Sequence, residues 1–237
     1  MAGSCFMSGF VYCLVAIAVC AGLVFVIRKL FPVSPEVSRK LLHFSLITVL
    51  TTWLYAFHTW IAAVLTMTWT VIVIYLILSW METHAAFAAL AKVTSERQPG
   101  EMKKSLCAAG LMFVLVTSVC WGLLHDRTLA LASIFAWGPG DAAAALIGKR
   151  YGKTKIGREK KKSLEGTLAM FALSFLSILP ILAWGHSFTS WQLWLAAFLT
   201  AADNAFVEFI VLDGFDTLFC PTAAAVVLCA MRILLPQ

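Results

Sequence analysis

The chain has 237 residues, of which 61% are hydrophobic and 13% charged, and its mean hydropathy is +0.89. Soluble domains carry about 25% charged residues, so the composition excludes an ordinary soluble enzyme. The loops between apolar runs are too short to form a separate soluble domain. The net charge of +6 matters less than where the charges fall, and no nucleic-acid partner is expected.

A membrane-spanning helix needs about 20 mostly apolar residues. Eight candidates follow in order: 9–27, 41–57, 60–80, 105–124, 129–148, 166–184, 191–212 and 217–235. Lipid leaves the backbone no partners outside a helix or a closed barrel, and runs this long do not alternate as barrel strands do. The sequence therefore predicts an all-α, polytopic integral membrane protein. About eight transmembrane helices form a single membrane domain over 1–237, with the N-terminus outside. No Lys or Arg precedes the first apolar run, so that run is expected to stay as an anchor rather than be cleaved. Pro32 and Pro35 separate the first two spans. Met81–Lys104 reads as a mixed polar connection. Pro139-Gly140 interrupts the fifth span. A proline there frees a backbone carbonyl, which is expected to line a cavity.

Sixteen of the 18 Lys and Arg lie in segments 28–40, 92–104 and 149–162. With eight spans these segments share one side, which the positive-inside rule makes the cytoplasm. Trp60, Trp80, Trp121, Trp184, Trp191 and Trp194 lie near span ends, where amphipathic rings favour the interface. Trp69 and Trp137 are mid-span and are expected to pack against other helices. The seven cysteines form no CxxC pair and read as small packing residues.

The most informative stretch is WGPGDAAAALIGKRYGKTKIGREKKKSLEGT, Trp137 to Thr167. Asp141 falls inside an apolar run, where a charge costs roughly 2.5–3.5 kcal/mol even on the gentlest insertion scale. A basic, glycine-containing loop, 149–165, follows on the cytoplasmic side and reads as a nucleotide-binding loop. Gly148 to Thr154 comes close to a Walker A loop but has three residues between its glycines instead of four. It also follows a membrane helix rather than a strand. Glycine-rich backbone can still approach phosphate closely, and the next helix, capped by Ser163, points free N–H groups at the same place. The seventh span carries Asp203, Asn204 and Glu208 and runs into Asp213-Gly-Phe-Asp216. These acids either pair helices or hold a divalent ion. The basic loop either grips anionic headgroups or binds a polyphosphate. Mg²⁺ takes one or two carboxylates together with phosphate oxygens, and Lys and Arg suit the phosphates themselves.

Three blocks resemble the polyprenol kinase family, which includes dolichol, phytol and farnesol kinases and a CTP-dependent diacylglycerol kinase. The first is Arg39-Lys40-Leu-Leu-His43. The second runs from Gly140-Asp141 through Gly148, Gly152 and Lys153 to Ser163-Leu-Glu165-Gly166-Thr167. The third is Glu208 followed by Asp216-Thr-Leu-Phe-Cys-Pro221, in which Thr217 stands where the family usually has Asn. The resemblance implies an integral-membrane kinase that transfers the γ-phosphoryl group of CTP to the hydroxyl of a polyprenol, a phytol-like isoprenoid or diacylglycerol. It implies catalytic roles for Asp141, Arg39, Lys40 and Glu208. Nucleotide binding would fall to Gly148, Lys149, Gly152, Lys153, Lys162, Ser163, Glu165, Gly166 and Thr167. Mg²⁺ would be held among Asp141, Glu165, Asp213 and Asp216. The partners would be a membrane lipid and a nucleotide, with a homodimer left open. The middle block is also distantly similar to CDP-diacylglycerol synthase, a CTP:phosphatidate cytidylyltransferase. The basic half of that enzyme's late signature is absent here, so cytidylyl transfer ranks second. An anionic-solute transporter ranks third, because no internal repeat is visible and the charge gathers at one edge.

Overall fold

The computed structural model describes residues 2–83, 100–156, 162–211 and 214–235. Among them are eight α-helices: α1 (Ala2–Leu30), α2 (Pro35–Ala56), α3 (Trp60–Glu82), α4 (Glu101–Val116), α5 (Arg127–Tyr151), α6 (Leu164–Gly185), α7 (Ser190–Ile210) and α8 (Asp216–Leu234). The end of α4 widens into a π-helical segment, Thr117–Leu123. β1 (Lys155–Ile156) and β2 (Lys162–Ser163) form a small antiparallel pair. The chain is an all-α, multi-pass membrane protein. Seven helices, counting α4 with its π-helical extension as one, are long and apolar enough to cross a bilayer. The exception is α2. It has 22 residues, but Arg39, Lys40, His43 and several hydroxyl residues lower its hydropathy. Thr48, Thr51 and Thr52 each donate to a carbonyl four residues back, so those hydroxyls are satisfied within the helix.

The chain divides into two compact units, Met1–Val114 and Leu115–Gln237. In the first, α1 packs on α2. Gly9 lies against the Ala56 carbonyl, where any side chain would collide. Phe6 meets Phe57, and Phe10 meets the buried Trp53 edge-on. The Trp53 indole donates to Thr66 Oγ1 on α3 at 3.0 Å. Trp69 is 62% exposed, so the expectation that it packs between helices fails. Its ring faces outward like those of Trp80, Trp184, Trp191 and Trp194.

In the second unit α5 is the central element, packed against α6 and α8 and touching α7. Asp126 caps it, accepting from the N–H groups of Thr128 and Leu129. Trp137 is fully buried, as its mid-span position predicts. The thiols of Cys120 and Cys229 are buried and 3.6 Å apart, which fits small packing residues. Pro139 leaves the Phe135 carbonyl without its helical donor. That carbonyl does not open onto a cavity. Ser177 Oγ of α6 lies 3.0 Å from it and shares its one proton with the Leu173 carbonyl of its own helix at 2.6 Å, and Ser174 Oγ donates to the neighbouring Ala136 carbonyl at 2.5 Å. Gly140 makes this approach possible, because a side chain there would strike Ser174 and Met170.

Candidate functional site

The junction between α5 and α6 is built from glycine and serine. Helix α5 continues to Tyr151, so Lys149 and Arg150 occupy its last turn rather than the loop. Ser163 precedes α6, and its Oγ accepts from Gly166 N–H at 3.1 Å, so the predicted cap is present. Gly148 and Gly166 approach closely here. A Cβ at Gly166 would lie 3.2 Å from Gly148 Cα and 3.0 Å from the Ala144 carbonyl. A Cβ on Gly152 would meet the Gly148 carbonyl and Ser163. These three glycines therefore have a packing reason to be glycine, whatever else they do.

Glu165 lies in the first turn of α6. Its Oε1 accepts from the backbone N–H groups of Lys153 at 3.2 Å and Thr154 at 3.1 Å. It thus fixes the path of the chain leaving α5, just before β1. Lys149, Lys153 and Lys155 are exposed and surround this hairpin with positive charge. Arg158, Lys160 and Lys161 lie outside the described residues.

Carboxylates on three helices act on one another through space. Glu208 on α7 lies within electrostatic reach of Asp141 on α5 and of Asp216, the first residue of α8. Lys162 of β2 reaches across to this group. Its Nζ lies 3.1 Å from Glu208 Oε1, with side-chain exposures of 21% and 14%, and it also donates to the Val211 carbonyl at 3.2 Å. That carbonyl closes α7, where a cation suits the negative end of the helix dipole. The hairpin is therefore tethered to the carboxylate end of the bundle through Lys162. Lys162, expected at the nucleotide, thus also pairs with a carboxylate, which its place in a basic run does not signal.

Of the expected metal ligands, Asp213 lies outside the described residues. Glu165 has Oε1 committed to backbone N–H groups. Asp141 and Asp216 share the field at Glu208. Among the described residues no group of three or more His, Cys, Asp or Glu side chains could hold a metal by itself. The donor set suits Mg²⁺ held by one or two carboxylates and phosphate oxygens, not an all-protein cage. Arg39 and Lys40 belong to the first unit, in the early turns of α2, where Lys40 is only 6% exposed.

Two further features lie on α7. One side forms an open, apolar groove of about 310 Å³ with α6 and β1, lined by Ile156, Thr167, Ala202, Ala205, Phe206 and Phe209. The buried side carries Thr200 and Asn204, both 0% exposed. Thr200 Oγ1, Asp203 Oδ2 and both polar atoms of the Asn204 amide are buried without a hydrogen-bond partner. Thr200 drew no notice in the sequence, although Thr200, Asn204 and Glu208 recur at the four-residue spacing of one helix face.

Similarity to known proteins covers about half of the chain. It is 31% identical over 124 residues to a probable phytol kinase 3, chloroplastic, of Glycine max, which is 50% of this chain and 38% of that protein. It is 30% identical over 125 residues to a probable phytol kinase 1, chloroplastic, of the same plant, 51% of this chain and 38% of the relative. A probable phytol kinase, chloroplastic, of Triticum aestivum is 28% identical over 109 residues, 44% of this chain and 35% of the relative. The match thus spans well under half the length of these relatives. No family model and no solved structure matches the chain significantly.

Proposed function

We propose that this protein is a membrane-embedded lipid-alcohol kinase that transfers the γ-phosphoryl group of CTP to the terminal hydroxyl of an isoprenoid or similar lipid, at the cytoplasmic face. The observation that carries the reading is the Lys162–Glu208 ion pair, which joins a basic hairpin to α7, with Asp141 and Asp216 within electrostatic reach of Glu208. Likeness to probable phytol kinases supports the acceptor class. The choice of CTP rests on family resemblance.

Phosphoryl transfer asks a protein mainly for positioning and charge neutralisation. Lys149, Lys153 and Lys155 offset the charge of the triphosphate. Glu165 holds the backbone of Lys153 and Thr154 in place, so Lys153 and Lys155 are presented from a fixed segment while Lys149 projects from the last turn of α5. Lys162, held by Glu208 and the end of α7, keeps the hairpin over the carboxylates. Mg²⁺ would be held by Asp141 with Glu208 or Asp216, where it would supply charge stabilisation on the phosphate oxygens. A carboxylate of the same group accepts the proton of the acceptor hydroxyl. Arg39 and Lys40 are carried as catalytic residues on sequence resemblance alone.

The test is a labelling experiment with purified protein in lipid vesicles, CTP and a panel of lipid alcohols. Transfer of γ-label to lipid, with CDP released, supports the kinase. Transfer of α-label with pyrophosphate released replaces it with a cytidylyltransferase. No label in any lipid rejects both.

A further inference from the structure

We infer that Thr200 and Asn204 on the buried side of α7, with the half-buried Asp203 beside them, form a binding subsite for the hydroxyl end of a long-chain alcohol. This deepens the kinase reading and rests on it for the fate of the hydroxyl.

Asn204 is 0% exposed and both atoms of its amide lack a partner, as does the hydroxyl of Thr200 four residues earlier. An unsatisfied polar group in a membrane interior is costly, and buried polar groups in folded proteins nearly always have partners. What is missing can be specified. Asn204 Nδ2 donates, whereas Asn204 Oδ1 and Asp203 Oδ2 accept. A phosphate or carbonyl could only accept, and would leave the oxygens bare. An ammonium could only donate, and would leave Nδ2 bare. A hydroxyl does both, accepting from Nδ2 and donating its one proton to either Asn204 Oδ1 or Asp203 Oδ2.

The position suits an alcohol that arrives from the bilayer. Asn204 lies one helical turn, about 6 Å along the axis, from Glu208 and its neighbouring acids. The surrounding face of α7 is methyl-sized: Ala196, Ala197, Ala201 and Ala205 are all buried. The groove that α7 forms with α6 and β1, which shares Ala205 with this face, is lined almost wholly by apolar side chains and could seat a chain but not recognise a hydroxyl.

The experiment uses the full chain in nanodiscs, photolabelled by a diazirine-bearing long-chain alcohol and competed with hexadecanol or hexadecyl methyl ether. The ether keeps the chain and loses the donor. In the wild type, hexadecanol is expected to compete at a concentration at least about tenfold lower than the ether, the worth of one hydrogen bond. In Asn204→Leu that preference falls to near one, while the melting temperature stays the same or rises. Thr200→Val, nearly isosteric, gives a second variant and is expected to reduce the preference part-way. Equal competition by alcohol and ether in the wild type overturns the subsite. So does an unchanged preference in both variants, which leaves only an ordered water at Asn204. A wild type that prefers the alcohol but does not phosphorylate it keeps the subsite and rejects the kinase.

Discussion

The α5–α6 interface and the buried face of α7 both place polar groups inside a membrane bundle, and they treat them in opposite ways. Along α5–α6 the unusual groups have partners. The carbonyl freed by Pro139 receives Ser177, the next carbonyl receives Ser174, and Ser163 caps α6. On α7, Thr200 and Asn204 are fully buried and have none. An interface that satisfies itself is a scaffold, and its polar residues are explained by the structure they hold. A face that leaves donors and acceptors unsatisfied at this depth is where the proposed alcohol subsite lies.

The strongest way to break this contrast is at the acids beyond the α7 face. Asp141→Asn is expected to lower lipid phosphorylation about a thousandfold, the scale of a lost charge contact at a transferring phosphoryl group. Its melting temperature in detergent should not fall. Retained turnover would remove Asp141 from the site. Next comes Lys162, which joins the hairpin to the bundle. Lys162→Met leaves Glu208 without its cation and should cost about 2–3 kcal/mol, less than a fully buried pair would because both groups are partly exposed. Adding Glu208→Gln should recover part of that loss, read from denaturation midpoints as a double-mutant cycle. Additive losses would mean the two groups do not interact.

Smaller effects test the scaffold. Gly152→Val forces a side chain into the Gly148 carbonyl and Ser163 and should destabilise by roughly 1–3 kcal/mol through overpacking. Wild-type stability in this variant would show that the junction is looser than the geometry implies. Ser177→Ala withdraws the interhelical donor from the Phe135 carbonyl. It should cost about 1 kcal/mol with little change in kcat/KM.

Much of this was legible in the sequence, and for definite reasons. Span count and helical class follow from apolar run length, with α2 the exception because its arginine, lysine and threonines make it a poorer span than its length suggests. The Ser163 cap and the α6 start followed from capping chemistry. The role of Pro139 was half readable. The freed carbonyl could be foreseen, but Ser177 lies 42 residues away in sequence, and nothing local names it. Lys162 looked like one more cation in a basic run, and its pairing with Glu208 depends on where β2 points. Trp69 was misread because depth along a span does not say which way a ring faces. The α7 face was visible only as spacing. That its groups are unsatisfied is a property of the packed structure.

The contrast itself is tested most directly by melting two variants side by side, Ser177→Ala and Asn204→Leu, in the same detergent and without added lipid alcohol. The expected result is a shift in opposite directions: the alanine variant melts lower, because a paired carbonyl loses its donor, and the leucine variant melts at the same temperature or higher, because an unpaired amide is removed. If Asn204→Leu melts well below the wild type, its amide is already serving the fold, and the division of this bundle into scaffold and binding face is wrong.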